Sequence, residues 1–143
     1  MLCKGSPMRL LTALIALLPS IGHAETHVVN MLTRGDTGAM VYEPAYLEIA
    51  PGDTVRFLPT QRGHNAASIP EMLPEGADRF IGQIDEEISV TFEVEGRYGI
   101  KCSPHYAMGM VMIVDVGDVY DAAPLPDAVP DRARERMSEL LGR

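Results

Sequence analysis

Tryptophan is absent from this 143-residue chain, and only five Tyr and three Phe supply aromatic rings, so a core has to be built from Val, Ile, Leu and Met. Cysteine is nearly absent too: two residues are too few to staple a small scaffold with disulfides. No apolar run reaches the roughly 18 residues of a membrane span. Positive charge is scarce. Twelve Lys and Arg stand against twenty Asp and Glu, a formal net charge of −8, which excludes the basic face that nucleic-acid binding requires. Internal repeats and low-complexity tracts are also missing. What is present, 46% hydrophobic and 22% charged residues in a length suited to one domain, is the composition of a globular protein.

Residues 1–24 read as an export address. Lys4 and Arg9 give a positive start, Leu10 to Leu18 a short apolar segment, Pro19 a break, and Gly22-His23-Ala24 a small-residue cleavage site. Met8 serves equally as a start. The expectation is a signal peptide over 1–24 and one domain over 25–143, with a helical extension from about residue 118. Cleavage after Ala24 removes Lys4, Arg9 and no acidic residue, taking the net charge from −8 to −10. It also removes Cys3 and leaves Cys102 as the one thiol. An unpaired cysteine in an oxidising compartment needs either burial or a task.

The rest of the chain carries β punctuation. His27–Met31, Tyr46–Ile49, Thr54–Leu58, Ile88–Val94, Tyr98–Lys101 and Val111–Val116 are strand candidates. Arg34-Gly35-Asp36, Thr37-Gly38 and Pro51-Gly52-Asp53 are turn signals between them. Short strands at this spacing predict an all-β, Greek-key sandwich. Between Asn65 and Asp85 the pattern lapses, and Pro70, Pro74, Gly76 and Gly82 predict a long surface excursion with a helical turn near Glu71–Leu73. Asp131–Leu141 predicts an amphipathic helix, capped by Asp131, whose apolar stripe Ala133, Met137, Leu140 and Leu141 packs on the sandwich.

Chemistry concentrates in Cys102-Ser103-Pro104-His105-Tyr106-Ala107-Met108-Gly109-Met110, a loop held by strand candidates at both ends. It brings a thiolate, an imidazole and thioethers together, and His64 offers a second imidazole on another loop. Soft sulfur donors suit Cu(I), two imidazoles also satisfy Cu(II), and a trigonal His–Cys–His plane with a distant Met is the arrangement of blue-copper electron-transfer sites. A zinc site of His64, Cys102 and His105 is open on the same residues, although structural zinc usually takes more cysteines. A Cys102–His105 nucleophilic pair is the enzymatic alternative. It is disfavoured because no acid or amide stands ready to orient the imidazole. No further histidine cluster exists for a multicopper oxidase.

These residues, with Met40-Val41-Tyr42-Glu43-Pro44-Ala45-Tyr46, Pro51-Gly52-Asp53-Thr54-Val55, Gly63-His64-Asn65 and Pro74-Glu75-Gly76-Ala77, occur in the order found in the cupredoxins. Within that family the chain most resembles the pseudoazurins. The resemblance implies a β-sandwich with two short C-terminal α-helices, the first near Val119–Ala123. It implies one type 1 copper ion held by His64, Cys102, His105 and Met110, and no catalytic activity. Met108, at the Cys-x2-His-x2-Met spacing of amicyanin, competes with Met110 for the axial position; the surrounding blocks favour Met110. Asn65 is expected to tie the two ligand loops together. Pro104, having no N–H, cannot donate to the thiolate.

The family likeness further implies a monomeric periplasmic shuttle. Its partners are nitrite reductase or another denitrification enzyme, together with a cytochrome-type donor. The docking patch is expected around His105, among Met40, Pro59, Pro104, Ala107 and Met108. Such proteins carry lysines around that patch. Here Lys101 is the only lysine after residue 24, so Arg62 and Lys101 are expected to form a reduced basic rim. A copper carrier or buffer using the same ligands is the alternative function.

Overall fold

The computed structural model describes residues 22–120 and 123–142. Eight strands form two four-stranded sheets that face each other. The strands are β1 (Thr26–Gly35), β2 (Gly38–Glu43), β3 (Tyr46–Ile49), β4 (Thr54–Leu58), β5 (Ala67–Ser68), β6 (Ile88–Thr91), β7 (Gly96–Lys101) and β8 (Val111–Val116). One sheet runs β2-β1-β4-β6 and the other β3-β8-β7-β5, so after the first hairpin the chain crosses repeatedly between layers. β1 lies parallel to β4 and β3 parallel to β8; the remaining neighbours are antiparallel.

Period-2 alternation explains the layers. Val29 and Met31 of β1, Val55 and Phe57 of β4, Tyr98 and Ile100 of β7, and Met112, Val114 and Val116 of β8 point into the shared core. With no Trp available, Phe57, Phe80, Phe92, Tyr42 and Tyr98 provide the bulk through edge-to-face and tilted ring pairs. β8 is buried on both faces. Its Val111 and Ile113 meet Ala133 and Met137 of α1 (Asp131–Leu140), the amphipathic helix expected from the sequence.

The structure departs from the sequence reading in several places. The surface excursion expected from Asn65 to Asp85 begins only after Ile69: Asn65–Ile69 is buried and β5 within it pairs with β7, whereas most of residues 70–85 are exposed or half-buried. The backbone needs of the buried part are met by the second sheet, which leaves no alternating exposed face to read. The helical turn is a 3-10 turn at Pro70–Met72. β2 was missed because Gly38 and Gly35 flank the Asp36–Thr37 turn, so the glycines mark the hairpin and not its end. Among the described residues α1 is the one C-terminal α-helix; Val119, Tyr120 and Ala123 are not helical, and residues 121–122 lie outside the described set. Pro124 and Pro126 follow directly and would stop a helix from extending past Ala123. Asp131 opens α1 as its first helical residue, without a side-chain cap. The apolar segment of the expected leader also lies outside the described residues.

Candidate metal centre

The register of the β7–β8 hairpin builds half of the centre. Lys101 and Val111 are its last ladder pair, and Cys102 and Met110 follow as the next inward-facing residues. The Cys102 N–H donates to the Met110 carbonyl at 3.0 Å. Both side chains are fully buried in the main core. Between them the chain makes a 3-10 turn at Ser103–His105, and the N–H groups of Met108 and Met110 both reach the His105 carbonyl at 3.1 Å. Gly109 takes φ +87°, and a Cβ there would lie 3.0 Å from the carbonyl oxygen of Arg132 in α1. Glycine is therefore required to deliver Met110 to the core.

His64 arrives from the loop after β4 and is fully buried. Its Nδ1 lies 3.1 Å from His105 Nδ1 and 3.8 Å from Cys102 Sγ, and His105 Nδ1 lies 3.5 Å from the same sulfur. Three donors from two loops thus converge at one pole of the sandwich. Metal–imidazole and metal–thiolate bonds of about 2.0 Å and about 2.3 Å put such donors roughly 3–4 Å apart around one ion, so the residues present fit a metal. His64 Nε2 stands 2.8 Å from Thr33 Oγ1. A proton kept on Nε2 and donated to that hydroxyl leaves the Nδ1 lone pair facing the centre.

Electrostatics point the same way. Burial, followed by the charge of His105, lowers the His64 pKa and favours the neutral ring, the form able to ligate. Burial pushes the Cys102 thiol up, opposed by the backbone N–H groups of Asn65 and His105. Taking up a metal cation at this thiol accordingly releases a proton.

Asn65 joins the two loops. Its Oδ1 accepts from the Ser103 N–H at 2.7 Å, while Nδ2 donates to the Gly82 carbonyl at 2.9 Å and to Ser103 Oγ at 3.0 Å. Its own carbonyl accepts from the buried Tyr42 hydroxyl at 2.7 Å. Pro104, Ala107 and Met108 are exposed, His105 half-buried, and Met40 and Pro59 partly covered. Arg62 is exposed, 3.8 Å from Asp85, and the Lys101 ammonium sits 5.0 Å over the Tyr106 ring. The two methionines have separated: Met110 is sealed beside Cys102, whereas Met108 is 51% exposed.

Three contributors went unread in the sequence. Thr33 sits at the exposed end of β1, and nothing local marks it as a partner of a histidine 31 residues away. Gly82 supplies only a carbonyl. Arg136 of α1 donates through Nη1 to the carbonyls of Met40 at 2.6 Å and Gly109 at 2.7 Å, bracing the ligand loop from the helix. Its place on the polar side of an amphipathic helix was the one available signal.

Comparison with known proteins agrees with this geometry. Residues 29–117 match the family described as copper binding proteins, plastocyanin/azurin family. The chain is 47% identical over 132 residues to the pseudoazurin of Paracoccus pantotrophus, covering 90% of each. It is 46% identical over 111 residues to that of Methylorubrum extorquens, covering 77% of this chain and 75% of the relative. The crystal structure of pseudoazurin from Methylobacterium extorquens AM1 superposes with a TM-score of 0.77 at 42% identity, covering 82% of this chain and 97% of that one. Pseudoazurin from Hyphomicrobium denitrificans gives 0.72 at 36% identity, with 82% and 96% covered. The chain belongs to the plastocyanin/azurin family of copper-binding proteins, in its pseudoazurin branch, and is a blue copper protein that transfers electrons and is not an enzyme.

Proposed function

We propose that this chain is an exported, monomeric shuttle whose copper would be held by His64, Cys102, His105 and the thioether of Met110. One observation carries the reading: two imidazole nitrogens and a thiol from two loops lie 3.1–3.8 Å from one another at one pole. The complete burial of Met110 beside Cys102 favours it over the exposed Met108. When bound, copper supplies one-electron chemistry between Cu(II) and Cu(I). The chain's own part is to hold the donors still: the His105 carbonyl, the Asn65 amide and the Thr33 hydroxyl each fix a ligand or its loop. A frame that does not rearrange keeps the reorganisation cost of electron transfer low.

The half-buried edge of His105, among Pro104, Ala107, Met108 and Met40, is the exit for the electron, and an apolar patch of this kind favours brief contacts. Arg62 and Lys101 form its basic rim. The periplasm is the location, nitrite reductase or another denitrification enzyme the acceptor, and a cytochrome-type protein the donor. A copper carrier needs an exchangeable site, and full burial of His64, Cys102 and Met110 opposes exchange. The visible spectrum of the oxidised, copper-loaded protein tests the assignment. An intense thiolate-to-Cu(II) band that bleaches reversibly on reduction is expected, and a colourless Cu(II) form refutes it. Electron-transfer rates with an acidic reductase should fall as salt rises; a rise contradicts the basic rim.

A further inference from the structure

The other pole of the sandwich carries a second cluster of titratable groups. Asp53 follows the Pro51-Gly52 turn, in which Gly52 takes φ +93°, and is only 4% exposed. Its Oδ1 accepts from the Glu25 backbone N–H at 2.9 Å. Its Oδ2 accepts from the Ala50 N–H at 3.1 Å and lies 3.0 Å from His27 Nε2. The Glu25 carbonyl in turn accepts from the Thr54 N–H at 2.8 Å, at the point where β1 joins β4. Ahead of Glu25, Gly22, His23 and Ala24 are exposed and outside any element. The first backbone nitrogen that this buried carboxylate engages is thus the nitrogen at which the cleavage signal ends.

We propose that Asp53 is the receptor for the amino terminus created by processing, and that cleavage after Ala24 converts a neutral amide contact into an ion pair. The inference rests on reading residues 1–24 as a removed leader. Hydrolysis breaks the Ala24–Glu25 peptide bond: water supplies the hydroxyl of the new Ala24 carboxyl group, and the Glu25 nitrogen leaves as an amine that takes up a proton. The resulting ammonium faces a carboxylate already shielded from water, so attraction between opposite charges is added to a hydrogen bond that the ionised carboxylate already strengthens. The precursor, with an amide at that nitrogen, lacks the charge. Processing therefore anchors the residue that leads into β1 and withdraws the terminus from amine chemistry.

Ligand atoms of Glu25, His27 and Asp53 lie within 4.8 Å of one another, a set that a divalent cation could also use. The Asp53 oxygens are already engaged by the Glu25 and Ala50 N–H groups and by His27, which favours the ammonium.

The test uses the copper-loaded protein recovered after export. Intact mass establishes the terminus, and acetylation by an N-hydroxysuccinimide ester at pH 7 in EDTA reads its reactivity. Past residue 24 the chain has a single lysine, so Lys101 is the internal reference for the α-amine. The expected result is a chain starting at Glu25 whose α-amine reacts about tenfold more slowly than in Asp53→Asn, the effect of one unit of amine pKa. A protein retaining Ala24 ahead of Glu25 keeps Asp53 and its fold intact, displaces the ammonium by one residue, and should react at the faster rate as well. Equal rates in all three overturn the pairing and leave the export reading standing. A terminus elsewhere overturns the export boundary itself. Protection that vanishes in EDTA and returns with Zn2+ assigns the cluster to a metal and overturns the ammonium.

Discussion

Replacing Asn65 by alanine tests how far the centre depends on the tie between its two loops. The side chain makes three hydrogen bonds, at 2.7, 2.9 and 3.0 Å, and their loss falls unevenly. The Gly82 carbonyl belongs to a buried residue and is left without the Asn65 donor, at a cost of roughly 1–3 kcal/mol. Ser103 is exposed, so water replaces the partners of its N–H and hydroxyl at about 1 kcal/mol in total. The metal-free protein should therefore lose about 2–4 kcal/mol in urea unfolding. Copper affinity should fall by a further ~10–100-fold, the usual cost of removing a group that orients ligands. Competition with a chelator measures the second effect independently of the first. A stability loss below about 0.5 kcal/mol, with unchanged affinity, refutes the claim that Asn65 holds the loops in register.

Other perturbations probe single parts. Thr33→Val removes the acceptor at His64 Nε2 and frees the ring to adopt the wrong tautomer; the metal-free protein should lose roughly 1–3 kcal/mol in urea unfolding, and copper affinity should drop a further ~10-fold by chelator competition. Pro104→Ala introduces an N–H beside the thiolate and should raise the reduction potential; an unchanged or lower potential in voltammetry counts against that account. The Glu25 N–H, then His27, hold the Asp53 carboxyl below its usual pKa of 3.8 against the opposing effect of burial. A carboxyl depressed on folding stabilises above its unfolded pKa and loses that contribution as pH falls through the folded one. Asp53→Asn should thus lower stability at pH 7 yet flatten the acid limb below about pH 4, seen by thermal melts across pH.

Legibility in the sequence followed locality. Cys102, His105 and Met110 lie within nine residues, and the even numbering that Cys102 and Met110 share with Ile100 and Met112 sends the two sulfurs to the same inner face, so that half of the centre could be read directly. His64 stood out because histidines are few. The convergence of the loops needed the fold, since strand pairing between layers is nonlocal. Asn65 was readable by its position beside His64, but its bond to Gly82 depended on a segment whose burial gave no alternation. Thr33 and Arg136 act across 31 and 27 or more residues through groups that any polar surface displays. The expected first C-terminal helix came from resemblance alone, and the short stretch there is closed by Pro124 and Pro126 before an apolar stripe can build up.

The grip of Arg136 on the carbonyls of Met40 and Gly109 ties the helix to the loop end of the β7–β8 hairpin. Because α1 lies C-terminal to β8, a chain cut off after Val116 would keep His64, Cys102, His105 and Met110 yet lose the guanidinium that steadies the stretch between them. Truncation there is felt at the ion-binding pole, at the other end of β8 from the break itself.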